Sequence, residues 1–167
     1  NNGKIRYIKQ KNKGKAAALN NGLKLIKSKL FACLDADSFV HKNSLIYMVQ
    51  EHQDNPDLAI ATPVIKIYKP KKWIQKFQRL EYMAAMLIIK LMGHMDCNYI
   101  APGPFSVYKT KIIKKLGGFD EKNLVEDQEI AYRAQKQHYQ IKQCVNAFET
   151  TIAPNNFNDL NNQRNRW

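Results

Sequence analysis

Apolar residues along this chain recur with two different periods, and each change of period marks a new element. Ile5–Ile8 reads as a short strand, and the basic, glycine-containing stretch Lys9–Lys15 as a loop. Ala16, Leu19, Leu23 and Ile26 then fall at three- and four-residue steps, which predicts a helix over Lys15–Lys27. Leu30–Leu34 is a short unbroken apolar run of the kind that forms a buried strand. A helix capped by Asn43 or Ser44 is expected to reach about His52. Leu58–Ile67 reads as a strand in which Pro63 marks an edge or an irregularity, and Pro70 ends it. Trp73–Met92 is a long helical candidate with aromatic and Met residues on one face. A loop over Asp96–Pro104 precedes a short strand at Phe105–Tyr108 and a short helix at Lys111–Leu116, stopped by Gly117-Gly118. Glu126–Gln137 reads as a helix, Ile141–Val145 as a strand, and Asn156–Trp167 as a polar tail.

Helices alternate with strands, so an α/β domain is expected, with a mixed, mostly parallel sheet and helices on both of its faces. No internal repeat and no low-complexity linker interrupts the 167 residues, which are read as one domain, 1–167. The 44% hydrophobic content argues against disorder. Lys and Arg outnumber Asp and Glu by 27 to 14, a net charge of +13 that calls for an anionic partner: nucleic acid, an anionic lipid surface or a phosphorylated small molecule. The three cysteines, Cys33, Cys97 and Cys144, form no CxxC pair and give no zinc signature; their number and spacing fit a reducing compartment. The polar start of the chain has no signal-peptide character. The apolar stretch from Met83 to Met92, interrupted by Lys90, is shorter than the ~20 residues of a membrane span.

Candidate chemistry concentrates where apolar runs stop. Asp35 and Asp37 follow the Leu30–Leu34 run directly. Two carboxylates crowded at a strand end repel one another unless a cation or hydrogen-bond donors compensate. A hard divalent ion such as Mg²⁺ takes one or two such groups and completes its shell with phosphate oxygens. A turn with two solvated carboxylates is the simpler alternative. Lys13-Gly14-Lys15 leads into a helix, where backbone N–H groups and an ammonium meet at a phosphate, although solvated basic loops are common. Glu126 and Asp127 open a helix, which suits the macrodipole, and a carboxylate there also serves as a general base for a hydroxyl nucleophile. In Gln163-Arg164-Asn165-Arg166-Trp167 the Arg side chains suit diphosphate oxygens and the Trp a sugar face. The histidines are scattered without metal-ligand spacing, and packing is expected of Trp73, Phe77, Tyr82, Met83 and Met86. The alternative for that segment is an interfacial helix whose Lys72, Lys76 and Lys90 meet anionic headgroups.

The order of these pieces carries a resemblance. Asn12-Lys13-Gly14-Lys15-Ala16-Ala17-Ala18-Leu19-Asn20, the DxD of Asp35-Ala36-Asp37, and Gln78-Arg79-Leu80-Glu81-Tyr82 come first. Pro102-Gly103-Pro104-Phe105-Ser106-Val107-Tyr108, Gly117-Gly118-Phe119-Asp120, Val125-Glu126-Asp127 and the QxxRW of Gln163 to Trp167 follow. Across almost its whole length the chain resembles the processive family-2 glycosyltransferases, the group of cellulose, chitin, hyaluronan and poly-N-acetylglucosamine synthases. Val125 stands where that group usually has Thr, and His138 where Gly is common.

The resemblance implies a GT-A fold, here expected to lack its N-terminal strand or strands. It implies inverting transfer from a UDP-sugar to a growing glycan acceptor, dependent on Mg²⁺ or Mn²⁺. Asp35 would contact the nucleotide, Asp37 would hold the ion, and Lys15 would lie near the nucleotide. Asp127 would be the general base, supported by Glu126. Gly103 and Pro104 would line the cleft between donor and acceptor, while Gln163, Arg166 and Trp167 would bind the acceptor end and the diphosphate. The location implied is the cytoplasmic face of the cell membrane, reached through flanking segments, and the sugar most in keeping with the resemblance is N-acetylglucosamine. Two alternatives stand beside it. A nucleic-acid-binding module is motivated by the charge alone; no basic, aromatic-interleaved helix supports it, and nucleic acid is not an expected partner. An inactive glycosyltransferase-like scaffold is opposed by the intact DxD, ED and QxxRW.

Overall fold

The computed structural model describes residues 5–165. Its elements in chain order are α1 (Lys15–Leu25), β1 (Leu30–Ala32), β2 (Ser38–Val40), α2 (Ser44–Asp54), β3 (Leu58–Ile67) and α3 (Trp73–His94). They continue with β4 (Val107–Lys109), α4 (Thr110–Lys115), α5 (Glu126–Lys136), β5 (Gln140–Thr151) and α6 (Phe157–Arg164). The five strands form one sheet in the order β1-β4-β3-β5-β2.

The sheet is mixed, but mostly parallel pairing does not hold among the described strands. Only β3 and β5 pair in parallel; β1 with β4, β3 with β4 and β2 with β5 are antiparallel. The sequence gives no sign of this, because the three-residue strands β1, β2 and β4 carry too few positions to reveal direction. Leu30–Leu34 correspondingly contributes a half-buried strand at one edge of this sheet, next to β4, rather than a buried one. The central strand is β3, buried along its first six residues. Pro63 sits in it at a register shift between Thr62 and Val64, so it marks an irregularity and not an edge.

Alternation along the strands divides the core between the two faces. Ile60, Tyr108 and Ile141 pack with Leu23 of α1, Ile113 of α4 and Ile130 and Ala134 of α5. Ala61, Val107 and Cys144 face the other way and pack with Met48 of α2. Helices thus cover both faces, as the pattern predicts. Met48, Leu58, Ile60, Ile113, Ile130 and Ile141 are fully buried, each side chain worth roughly 1.5–3 kcal/mol of transfer free energy.

Three expectations are corrected. Ile5–Ile8 is not a strand: it pairs with no described strand, and Ile5 and Tyr7 are exposed. Without a ladder its backbone has no reason to hold an extended register. β5 runs to Thr151 rather than Val145, because β3 on one side and β2 on the other supply partners for its polar second half. The polar tail contains α6, which lacks apolar periodicity and is held by its ends. Asn156 caps it by accepting from Asp159 N at 2.9 Å, and Arg164 pairs with Glu81 of α3.

Candidate functional site

The site is assembled around the turn before β4. Gly103 N–H donates to Asp127 Oδ2 at 3.0 Å, joining this turn to the start of α5. Ser106 Oγ donates to Pro102 O at 2.6 Å and closes the turn, while Phe105 holds a positive φ of 55°. A left-handed, buried, non-glycine residue beside a site is a place where packing imposes backbone strain. A Cβ added at Gly103 would lie 2.7 Å from Lys15 Nζ, 3.5 Å from Asp127 Oδ2 and 3.6 Å from Asp35 Oδ2. Three chemically active side chains therefore converge on the Gly103 turn from three separate segments.

Lys15 enters from the first position of α1. Gly14, at φ 91°, takes a conformation that glycine adopts without penalty, and its N–H donates to Asn12 Oδ1 at 3.1 Å. This geometry aims the Lys15 ammonium at Asp35 Oδ1, 3.0 Å away, and Glu126 Oε1, 3.1 Å away. Burial pulls the ammonium down, but the two carboxylates outweigh it and the net shift is upward.

Asp127 sits in the first turn of α5, its Oδ1 accepting from Gln128 N–H at 2.8 Å. Burial first, and then the neighbouring Glu126 charge, push its carboxyl above the ordinary value; the N–H groups of Gln128 and Gly103 and the charge of Lys15 pull it back. The balance is upward, toward the range in which a carboxylate is a better proton acceptor.

Of the residues singled out in the sequence, the structure brings Lys15, Asp35, Gly103, Glu126 and Asp127 together, with Pro104 next to Gly103. Asp37 is exposed in the turn that leads into β2 and takes no part in the ion pairs of that cluster among the described residues. Gln163, on α6, accepts from Gln78 Nε2 at 3.0 Å. Arg166 and Trp167 lie outside the described residues.

Glu149 was missed in the sequence because it occurs in the polar half of β5. It is 1% exposed, paired in register with Val40, and neither carboxylate oxygen has a hydrogen-bond partner among the described residues. Burial pushes its carboxyl up to about 7; the nearby Ser38 hydroxyl, outside hydrogen-bond geometry, opposes this, and the charges of Asp37 and Asp35 add to it. Asn20 was legible only within the KGKAAALN run. Its Oδ1 accepts from Phe119 N at 2.8 Å and its Nδ2 donates to Phe119 O at 2.8 Å, latching α1 to the Gly117-Gly118-Phe119 turn.

No three His, Cys, Asp or Glu side chains among the described residues form a preassembled metal cage. What is present is an exposed Asp37 carboxylate whose charge, with that of Asp35, is felt at the buried, orphaned carboxyl of Glu149. This all-oxygen, acidic set fits a hard ion that takes only one or two protein carboxylates and draws its other ligands from a diphosphate.

The family described as glycosyltransferase like family 2 matches residues 1–167. A poly-beta-1,6-N-acetyl-D-glucosamine synthase of Staphylococcus epidermidis is 31% identical over 158 residues, covering 93% of this chain and 38% of the relative. The enzyme of that name from Staphylococcus aureus is 30% identical over 162 residues, covering 95% of this chain and 39% of the relative. The chain thus spans well under half the length of these relatives. Among solved structures, a mannosyltransferase from Pyrobaculum calidifontis in complex with GDP-Man and Mn²⁺ superimposes with a TM-score of 0.70 at 17% identity, covering 86% of this chain and 38% of that one. GalNAc-T7 with UDP, GalNAc and Mn²⁺ gives 0.61 at 15% identity, covering 84% and 31%. The fold is GT-A. With its full length matched by one family model, the chain belongs to glycosyltransferase family 2.

Proposed function

We propose that this chain is the catalytic core of an inverting glycosyltransferase that moves a sugar from a UDP-sugar to the end of a growing polysaccharide. The observation that carries this reading is the pairing of Asp127 with Gly103 N–H at 3.0 Å, beside the Lys15–Asp35 ion pair at 3.0 Å. A proton acceptor is thereby held next to groups suited to a nucleotide diphosphate.

In this reading the acceptor hydroxyl attacks the anomeric carbon of the donor sugar. The new C–O bond forms as the bond to the diphosphate breaks, UDP departs with the electron pair, and the hydroxyl proton passes to Asp127. Both Asp127 oxygens already accept one N–H each, and each keeps a lone pair for that proton. Glu126 holds Lys15, and Lys15 holds Asp35 where the nucleotide or its ribose would meet it. Asp37, with Glu149 behind it, would hold Mg²⁺ or Mn²⁺; the ion would offset negative charge on the leaving diphosphate. Gly103 and Pro104 line the cleft, and Gln163, Arg166 and Trp167 bind the acceptor end and the diphosphate. The relatives' names favour N-acetylglucosamine as the sugar. We place the domain, 1–167, at the cytoplasmic face of the membrane, in a longer protein with flanking segments.

Calorimetry tests the donor half: UDP should bind only with Mg²⁺ or Mn²⁺, and Asp37→Ala should abolish binding. Turnover in the full-length protein tests the base. Asp127→Asn should keep UDP binding and lose about 10²–10⁴-fold in rate, the range for a general base. The acid limb of the wild-type rate profile should lie above the pH expected of an ordinary carboxylate, because the Asp127 carboxyl is raised. Metal-independent UDP binding, or an active Asp127→Asn enzyme, refutes the assignment.

A further inference from the structure

Two helices bring their first turns to the site, and they are held very differently. α5, which carries Glu126 and Asp127, buries Ile130, Ala131 and Ala134 completely. α1, which carries Lys15, buries only Ala16, Ala17 and Leu23, so two of its three core side chains are single methyl groups. Apolar contact has no direction, and between small side chains it lets a helix slide or roll at little cost. Yet the Lys15 ammonium stands 3.0 Å from Asp35 Oδ1 and 3.1 Å from Glu126 Oε1. Directional contacts are needed to fix α1 to that tolerance, and the site itself offers only the ion pairs of an exposed lysine.

The turn after α4 supplies the rest. Gly117 N–H donates to Lys114 O at 3.1 Å and Gly118 N–H to Ile113 O at 3.0 Å, closing α4 on two left-handed glycines with φ of 91° and 82°. With those N–H groups turned back onto α4, the turn presents carbonyls outward. Arg133 of α5 takes two of them: Nη1 donates to Leu116 O, and Nη2 to Gly118 O at 2.7 Å. The guanidinium is itself paired with Glu129, four residues earlier on the same helix. Asn20 of α1 grips the next residue from the other side. It accepts from Phe119 N–H and donates to Phe119 O, each at 2.8 Å, and its second N–H donates to Glu121 Oε1 at 2.9 Å. Gly118 makes room for it, since a Cβ there would lie 2.6 Å from Asn20 Oδ1. Asn20 is five residues beyond Lys15, and Arg133 six beyond Asp127, so both grips lie roughly one and a half helical turns from the site. Past the end of α1, an exposed bond from Lys114 Nζ to Ile26 O at 2.8 Å gives the helix a pivot.

We infer that Asn20 and Arg133 are positioning residues, which through the turn between them hang α1 from α5 at the height that sets the Lys15 ammonium between Asp35 and Glu126. The inference rests on the donor-binding role proposed for Lys15 and Asp35, and it adds two side chains that act on the donor only through Lys15.

The test compares two variants. Asn20→Ala removes every bond from α1 to the turn. Arg133→Lys keeps a cation for Glu129 but cannot fork onto two carbonyls, and it is the gentler change should Asn20→Ala not fold. Lysine side-chain NMR of the ligand-free chain reads Lys15 directly, its signal assigned by its loss in Lys15→Arg. In the wild type, burial pulls the ammonium down and the two carboxylates more than offset it. In both variants the carboxylates are no longer in place, so the Lys15 titration should move down in pH. Calorimetry with UDP and Mn²⁺ should show binding about tenfold weaker in each, the loss of roughly one charged hydrogen bond. In a Lys15→Met background Asn20→Ala should weaken UDP binding by less than about twofold more, because the group through which it acts is gone. An unmoved Lys15 titration in both variants overturns the inference. So does a tenfold loss that persists in full on Lys15→Met, which would mean that the turn reaches the site by another route. A wild-type chain that binds no UDP overturns the catalytic reading instead, and the NMR titration then still decides whether Asn20 and Arg133 place Lys15.

Discussion

At Gly103 the missing side chain is what lets the Lys15 ammonium stand between carboxylates. A methyl group there would come within 2.7 Å of Lys15 Nζ, the mobile end of a flexible chain, so Lys15 would move and the backbone would not. Gly103→Ala should therefore leave the melting temperature nearly unchanged and weaken UDP binding about tenfold, the cost of roughly one charged hydrogen bond. Calorimetry beside a thermal melt checks the split; a large fall in stability would show that the turn and not Lys15 had yielded. Glu149 makes a different demand, because its buried carboxyl has no partner and a raised pKa of about 7 against an ordinary 4.5. The folded protein holds that proton more tightly than the unfolded chain does. Its contribution is complete below about pH 4.5 and is lost as pH rises through about 7. Glu149→Gln should remove this loss and, in metal-free buffer at pH 8, be more stable than the wild type by about 1–3 kcal/mol. Urea unfolding at pH 5 and pH 8 measures it, and a difference that does not change with pH would contradict it.

At the scale of elements, legibility followed local pattern. α1 and α5 announce themselves through apolar residues at helical steps, and both bounds of β3 were readable from its mostly apolar residues. The Lys15, Asp35, Glu126 and Asp127 cluster was legible because each residue lies at the end of such an element. β2 and α6 were not legible: Ser38–Val40 is too short to show alternation, and α6 depends on contacts from α3 far away in sequence. The outer face of α3 misled for the opposite reason. Apolar spacing says which residues share a side and not whether anything covers it, so Trp73, Phe77 and Met83, expected to pack, are exposed. Backbone geometry also explains one departure from the family pattern. His138, where Gly is common, adopts φ 59° just beyond α5, a left-handed position that glycine fills at lower cost. The other departure predicts a gain. Val125 occupies the N-cap of α5 and offers no side-chain cap, so in the first turn it is Asp127 Oδ1, not the N-cap residue, that accepts from Gln128 N–H. Val125→Thr supplies a hydroxyl acceptor and should stabilise the protein by about 0.5–1 kcal/mol in denaturant titration. An unchanged or lowered midpoint would show that the turn geometry keeps the hydroxyl from the first N–H groups of the helix.

For the whole molecule, the net charge of +13 means that the folded state carries cationic self-repulsion that bound anions relieve. Any polyanion should stabilise the chain somewhat, so stabilisation by a nucleotide is informative only when separated from this general effect. The arrangement of the site makes the separation possible, because its acids and its cations play different parts. Lys15 already faces Asp35 and Glu126, whereas Asp37 is exposed and has nothing to offer an anion unless a divalent ion stands between them. UDP with Mn²⁺ at 100 times its dissociation constant should add about 2.7 kcal/mol, which for a chain of this size raises the melting temperature by roughly 5–10 °C. Sulfate at equal ionic strength relieves repulsion without engaging Asp37, and its smaller shift should be the same in Asp37→Ala as in the wild type. The UDP–Mn²⁺ shift should fall in that variant to the level of sulfate. Equal shifts from UDP with and without Mn²⁺ would mean that the basic surface, and not a metal-bridged diphosphate site, accounts for nucleotide binding.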